Sequence, residues 1–237
     1  VLLVSDQEVL SSSLTQYSDY MKSAKKSSSK DGAAMVTRVG KKIAAATEQY
    51  LRNNGLESEI KNFAWEFNLV NDPQVNAFCM PGGKIVVYEG LMQLVSSDDE
   101  LAVVVGHEVA HAVTKHSNER MSQQLMAQYG AQILGQALSN KSAAVQKIGA
   151  SVYGLGAQYG VMLPFSRKHE SEADYMGLVF MAMAGYNPAV AVNFWQKMSA
   201  GKSGSTPEFM STHPSDATRI NEIKQHLPEI EKYRVKK

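Results

Sequence analysis

The chain has 237 residues, enough for one large domain or two small ones, and its net charge of +1 gives no reason to expect a nucleic acid as partner. Its single cysteine, Cys79, excludes an internal disulfide framework and a cysteine-based zinc site. No apolar run of about 18 residues or more is present, so no segment reads as a membrane-spanning helix. The chain opens at Val1-Leu2-Leu3-Val4 without methionine, which we read as a trimmed or mature form. Membrane association through a lost N-terminal anchor is therefore an expectation.

In chain order, Val9, Leu10, Leu14, Tyr17 and Met21 form one helical stripe, which ends at the Lys/Ser-rich run 22–30. A second helix over 32–54 carries Met35, Val39, Ile43, Ala46 and Tyr50 and stops at Asn53-Asn54-Gly55. Residues 63–70 alternate apolar and polar and predict a strand. Residues 75–80 and 84–88, joined by Pro81-Gly82-Gly83, predict a hairpin whose first strand ends or lies at an edge at Pro81. A short helix follows over 89–95. Residues 117–163, rich in Ala, Gly, Gln, Ser and Met, predict two helices; we weigh a mobile lid against plain helix packing and a membrane-facing surface. Helices are expected over 166–184, over 189–200 opened by Pro188, and over 214–227 between Pro214 and Pro228, with a flexible loop at 201–207. No repeat or domain boundary is visible, so residues 1–237 are read as one α+β domain, with N-terminal helices over 1–55.

The chemistry centres on residues 97–116. Ser97 and Glu100 make a capping box, and Asp98 and Asp99 favour the positive end of the helix dipole. Val103-Val104-Val105 is a poor local choice for a helix, so this helix is expected to be buried and held by tertiary packing. Gly106 would allow close approach of another backbone. His107-Glu108-Val109-Ala110-His111 is an HExxH pattern: two imidazoles four residues apart share a helix face, suited to one zinc ion, with Glu108 beside the metal to act on water.

A catalytic zinc site ordinarily has three protein ligands plus water. A third histidine in the HExxHxxGxxH arrangement is excluded, because those positions hold Thr114 and Ser117. His116, five residues after His111, lies about 140° off the ligand face of a continuous helix and reads as a surface or packing residue. Glu170 and Asp174 share a face of the later helix, so Glu170 is the candidate third ligand and Asp174 the acceptor that fixes a ligand histidine's tautomer. Glu172 points about 200° away from that face. The alternative is that Glu170 and Glu172 are solvated helix charges.

With this pair in place the chain resembles the zinc metallopeptidase family that holds HtpX, the CaaX prenyl endopeptidases and the envelope proteases LoiP and BepA. The resemblance spans most of residues 70–225 and rests on Val75-Asn76-Ala77-Phe78, Pro81-Gly82-Gly83-Lys84-Ile85, Gly90-Leu91, HExxH, Ser166-Arg167 with Glu170 and Asp174, and His213-Pro214 with Arg219. It implies a zincin-like fold, mostly helical with a small sheet beside the active-site helix. It also implies one Zn2+ held by His107, His111 and Glu170, with Glu108 as catalytic base. The lack of spanning helices points to the LoiP-like branch, hence a periplasmic, envelope-associated protease of unfolded or extended protein segments; a mitochondrial location is the alternative. His213 and Arg219 are the candidates for stabilising an oxyanion. His213 has two further readings: a reversible cap on the zinc position, or a simple cap on the last helix. Asn76, Ala77 and Phe78 resemble the edge strand that holds substrate in thermolysin-like enzymes, with core packing as the alternative for Phe78. The competing function is a chaperone-like or scaffolding module whose zinc site is structural or self-inhibited.

Overall fold

The computed structural model describes residues 4–130, 141–153, 164–201 and 207–235. In order these form α1 (Asp6–Ser23), α2 (Lys30–Asn53), a 3-10 turn (Glu57–Asn62), strands β1 (Glu66–Val70), β2 (Ala77–Met80) and β3 (Lys84–Tyr88), then α3 (Glu89–Met92) and α4 (Asp98–Val113). There follow α5 (His116–Tyr129), α6 (Lys141–Tyr153), α7 (Arg167–Met183), a 3-10 turn (Pro188–Val190), α8 (Ala191–Ala200), α9 (Glu208–Thr212) and α10 (Ala217–Ile230). The class is α+β, mostly helical with one small sheet. Among the described residues no helix is long and apolar enough to cross a membrane.

The sheet has the order β1-β3-β2, with β1 parallel and β2 antiparallel to β3. Alternation along the strands sends side chains into two cores. Leu69, Ala77, Cys79, Ile85 and Val87 join the larger core, shared with α2, α4, α7, α8 and α10. Val70, Phe78, Met80, Val86 and Tyr88 join a second core with α1, α5 and α6. The hairpin turns where expected: Gly82 and Gly83 take φ of +95° and +85°, which only glycine adopts without strain. The expected first strand is shorter than the alternation implied. Pairing with β3 starts at Glu66; before it the Ala64 amide donates to the Gly82 carbonyl at the hairpin turn, and Phe63 and Trp65 stack at 4.7 Å.

Helix α4 runs between the sheet and α7 and is buried on all sides from Leu101 to His111, which accounts for its valine run. Its start matches the capping signal: Ser97 Oγ accepts the Glu100 amide at 3.2 Å, while Glu100 Oε1 accepts from the Ser96 amide at 2.7 Å. Gly106 meets Gly177 of α7. A Cβ on Gly106 would lie 2.7 Å from the Gly177 carbonyl oxygen, and one on Gly177 would lie 2.7 Å from the His107 nitrogen.

Two helix starts differ from the expectation. Pro188 opens a 3-10 turn, and α8 begins only at Ala191. The last helix begins at Ala217, because the Asp216 side chain caps the Arg219 amide at 2.9 Å and leaves Pro214 outside; Pro228 lies within the helix, which continues to Ile230. The expected loop at 201–207 and parts of the segment 117–163 lie outside the described residues.

The glycine contact yields a direct test. Gly177→Ala is expected to destabilise the fold by about 1–3 kcal/mol through overpacking and to weaken zinc binding at the adjacent His107. A denaturant midpoint that falls at unchanged slope, measured alongside zinc content, checks both effects.

Candidate metal centre

Three side chains from two helices converge. The four-residue spacing on α4 brings His107 Nε2 and His111 Nε2 to 3.1 Å. Glu170 lies in the first turn of α7, which Ser166 caps by accepting the His169 amide at 3.1 Å. Its Oε1 is 3.0 Å from His111 Nε2 and its Oε2 is 3.1 Å from His107 Nε2. Zinc bonds of about 2.0–2.2 Å at tetrahedral angles place neighbouring donors roughly 3.3 Å apart, close to these separations. All three side chains are buried, and Glu170 Oε2 and Glu108 Oε1 have no hydrogen bond of good geometry. Lone pairs turned on one another in a buried site need a cation between them, so the donor set fits zinc. Among the described residues this is the one group suited to a metal, and His213 belongs to it: the four ligand atoms lie within 4.8 Å of one another.

The electrostatics favour positive charge at this point. Burial opposes protonation of His107, yet the Glu170 and Asp174 carboxylates outweigh it and raise the imidazole to about 9. Burial likewise works against charge on His213, and Glu170 and Glu108 overcome it and raise its pKa. His111 goes the other way: burial takes it well below the ordinary imidazole value despite Glu170. Glu170 is desolvated too, but His213 and His107 hold it well below the usual carboxylate range.

Around these side chains lies a layer of further charged groups. Asp174 Oδ1 is 3.0 Å from His107 Nδ1, an ion-pair distance without good hydrogen-bond geometry. Arg219 of α10 grips Asp174 with two hydrogen bonds, one from Nη2 at 2.8 Å, and the same Nη2 lies 3.1 Å from Glu170 Oε2. Its Nη1 donates to the backbone oxygens of His213 and Pro214, and its guanidinium lies over the Trp195 ring at 4.9 Å. These commitments place Arg219 behind the ligands, so the expected oxyanion role is corrected to a positioning one.

His213 follows α9 and is buried, stacked on Phe209 with ring centres 4.1 Å apart. Its Nδ1 is 2.8 Å from Glu170 Oε1 and its Nε2 is 2.9 Å from Glu108 Oε1. It does not cap the last helix, because Asp216 does. It sits on the face of the centre that α4 and α7 leave open.

On that side a narrow cleft, with room for about one water molecule, is lined by Asn76, Ala77, Phe78 and Cys79 of the edge strand region, by Glu108 and His111, and by Arg120, Phe165 and Thr212. Edge strand β2 thus flanks the centre, as expected for Asn76, Ala77 and Phe78. The Phe78 side chain, however, points into the second core against Tyr20 and Tyr88. Its backbone faces β3, so the groups turned to the outer edge are those of Ala77 and Cys79. Arg120 is buried over the Phe165 ring at 3.8 Å; burial lowers its pKa to about 10, which leaves it charged at neutral pH.

Sequence reasoning missed Arg120, Phe165 and Trp195, whose side chains bear no recognisable ligand spacing. Of the two readings of His116, packing holds and the surface does not: it is buried against His169. The angle of 140° assumed a continuous helix, but α4 ends at Val113 and Lys115 adopts the left-handed φ of +60°, so the chain turns and His116 folds back against His111.

A profile of peptidase family M48 matches residues 37–227. The chain is 35% identical to the mitochondrial metalloendopeptidase OMA1 of Schizosaccharomyces pombe over 205 residues, covering 83% of this chain and 53% of that protein. It is 39% identical to its namesake in Arabidopsis thaliana over 168 residues, 71% of this chain and 33% of that protein. With the β-barrel assembly-enhancing protease of Yersinia pestis it shares 33% over 174 residues, 68% of this chain and 36% of that protein. The chain therefore spans about half of the first relative and about a third of the other two. Mitochondrial and bacterial relatives both occur, so these likenesses do not single out the LoiP-like envelope branch expected from the sequence.

Cys79 provides a check on the closed geometry. Burial, with a lesser contribution from Glu108, pushes its thiol pKa well above the ordinary value. At about pH 8, where an exposed thiol is partly ionised, Cys79 is expected to resist a thiol-specific reagent until the protein is unfolded; the reaction rate with and without denaturant tests this.

Proposed function

The chain belongs to peptidase family M48, a family of zinc metallopeptidases with a zincin-like fold, and we propose that it is a zinc-dependent endopeptidase of unfolded or extended protein segments. The observation that carries the reading is the convergence of His107, His111 and Glu170 beside Glu108. In this reading the first three hold one zinc ion. When bound there, zinc supplies a Lewis acid that acidifies water and polarises a carbonyl.

The remaining work falls to the chain's own groups. Glu108 accepts a proton from water on its carboxylate and returns it to the leaving amine. Asp174 holds the His107 ring, and Arg219 holds Asp174 and Glu170 together. The outer edge of β2, beside Asn76, Ala77 and Phe78, offers an extended peptide the outward backbone groups of Ala77 and Cys79, which favours unfolded segments over folded surfaces. His213 occupies the face that a substrate carbonyl must approach, so the arrangement reads as a capped resting form; substrate entry requires α9 to withdraw the ring. We read residues 1–237 as one domain, in which α5 and α6 cover the cleft as a lid, with Arg120 and Val152 on the side that faces it.

Relatives named as a mitochondrial metalloendopeptidase and as a β-barrel assembly-enhancing protease support a role in protein quality control. The mitochondrial location draws on the former and the bacterial envelope on the latter. A scaffolding role with a self-inhibited zinc site draws on the His213 cap alone and leaves the position of Glu108 unexplained.

Glu108→Gln is expected to retain zinc and to lose about 10²–10⁴-fold in cleavage of an unfolded protein such as casein. Full activity in that variant would defeat the mechanism. For His213→Ala, a cap predicts that zinc stays bound and cleavage is kept or rises. A loss of about 100-fold or more would instead assign His213 to the oxyanion.

A further inference from the structure

HExxH, Glu170, Asp174 and the His213 loop leave two buried histidines without a role, His116 and His169, and of these only His116 meets the centre. His116 is 1% exposed, and its ring is tied on both sides. Its Nδ1 is 2.8 Å from His111 Nδ1, and its Nε2 is 2.7 Å from Glu172 Oε2. The neighbouring His169 stacks on its face at 4.1 Å but turns its own Nε2 to Glu119. His116 is thus the group that meets the outer nitrogen of His111.

The protons in this chain follow from its two ends. With Nε2 facing the metal position, neutral His111 carries its proton on Nδ1 and must donate it to an acceptor. Glu172, half-exposed and paired with Lys168 at 3.9 Å, can only accept while ionised. His116 satisfies both when its Nδ1 accepts from His111 and its Nε2–H donates to Glu172. Neither the reverse tautomer nor the doubly protonated ring leaves His111 an acceptor.

We propose that Glu172 and His116 form a two-residue relay that fixes the tautomer and orientation of His111, as Asp174 does directly for His107. Both are positioning residues. They act from outside the centre, and α7 then supplies the ligand Glu170, the direct partner Asp174 and, from its opposite side, the relay carboxylate Glu172. The relay exists because the turn at Lys115 returns His116 to the outer edge of His111. The extra imidazole places the second carboxylate one ring further from the metal, so a partly solvated glutamate serves where His107 has a buried aspartate.

The proposal rests on the reading that His111 is a zinc ligand, and the test separates the two. Zinc affinity is measured by chelator competition on the full chain, alongside the visible absorption spectrum of the cobalt-substituted protein. His116→Phe keeps an aromatic ring against His169 but removes the acceptor. It is expected to weaken zinc binding by about 10- to 100-fold, the usual effect of losing a ligand's hydrogen-bond partner, and to shift the cobalt bands. His116→Gln, which can both accept from His111 and donate to Glu172, is expected to restore most of the affinity. Glu172→Gln, a change at a half-exposed site, keeps the fold and gives a smaller loss in the same direction. Parent-like affinity and spectra in both His116→Phe and Glu172→Gln would overturn the relay while leaving the zinc reading intact. A His116→Gln variant as weak as His116→Phe would also overturn it, assigning the effect to ring packing. A parent chain that binds no zinc would overturn the reading of the site, and the relay with it.

Discussion

Helices α4 and α7 touch backbone to backbone. Gly106 and Gly177 leave no room for a Cβ on either side, and that single approach sets the positions of everything that follows. Because the two axes close in there, the first turn of α7 lies across the HExxH face, and a carboxylate of ordinary length reaches both imidazoles. A larger residue at either glycine would hold the helices apart and widen a site whose donors stand 3.0–3.1 Å from one another. Such a cluster tolerates little drift, since coordination fixes both bond length and angle.

Holding three acceptors in a dry interior is costly, and the surroundings offset that cost by ordering. Arg219 is the main device. It is itself buried, but Asp174, Glu170 and two backbone oxygens take up its charge and its donors. Trp195 covers its face. The same guanidinium therefore braces a proposed ligand and the loop that carries His213, so the cap and the centre are mechanically linked. On the opposite side the edge strand and Arg120 line a cleft that is polar at one wall and aromatic at another, a surface suited to peptide backbone.

The sequence carried the centre of this picture in its spacing. His107 and His111, and likewise Glu170 and Asp174, are separated by a single helical turn, and helical turns are readable without a structure. The valine run and Gly106 likewise foretold a buried helix that another backbone approaches. What stayed hidden depends on turns and on packing between distant elements. The contact of His116 with His111 was hidden because one left-handed residue, Lys115, ended the helix that the angle presupposed. Arg219 was recognised as part of the site but given the wrong side of it, since direction relative to Glu170 comes from how α10 docks and not from spacing. Proline was overread as well: Asp216 displaced Pro214 as the start of α10, because a side-chain cap satisfies an amide that proline merely lacks.

The central claim is that the buried acceptors of α4 and α7 are completed by zinc. The most direct measurement is the thermal unfolding midpoint of the metal-free chain on addition of zinc, compared with the same titration of Glu170→Ala. Binding to the native state alone raises stability by mass action, so the midpoint of the parent chain is expected to rise with zinc concentration and that of the variant to rise far less. A parent midpoint indifferent to zinc, or an equal rise in both proteins, would contradict the account.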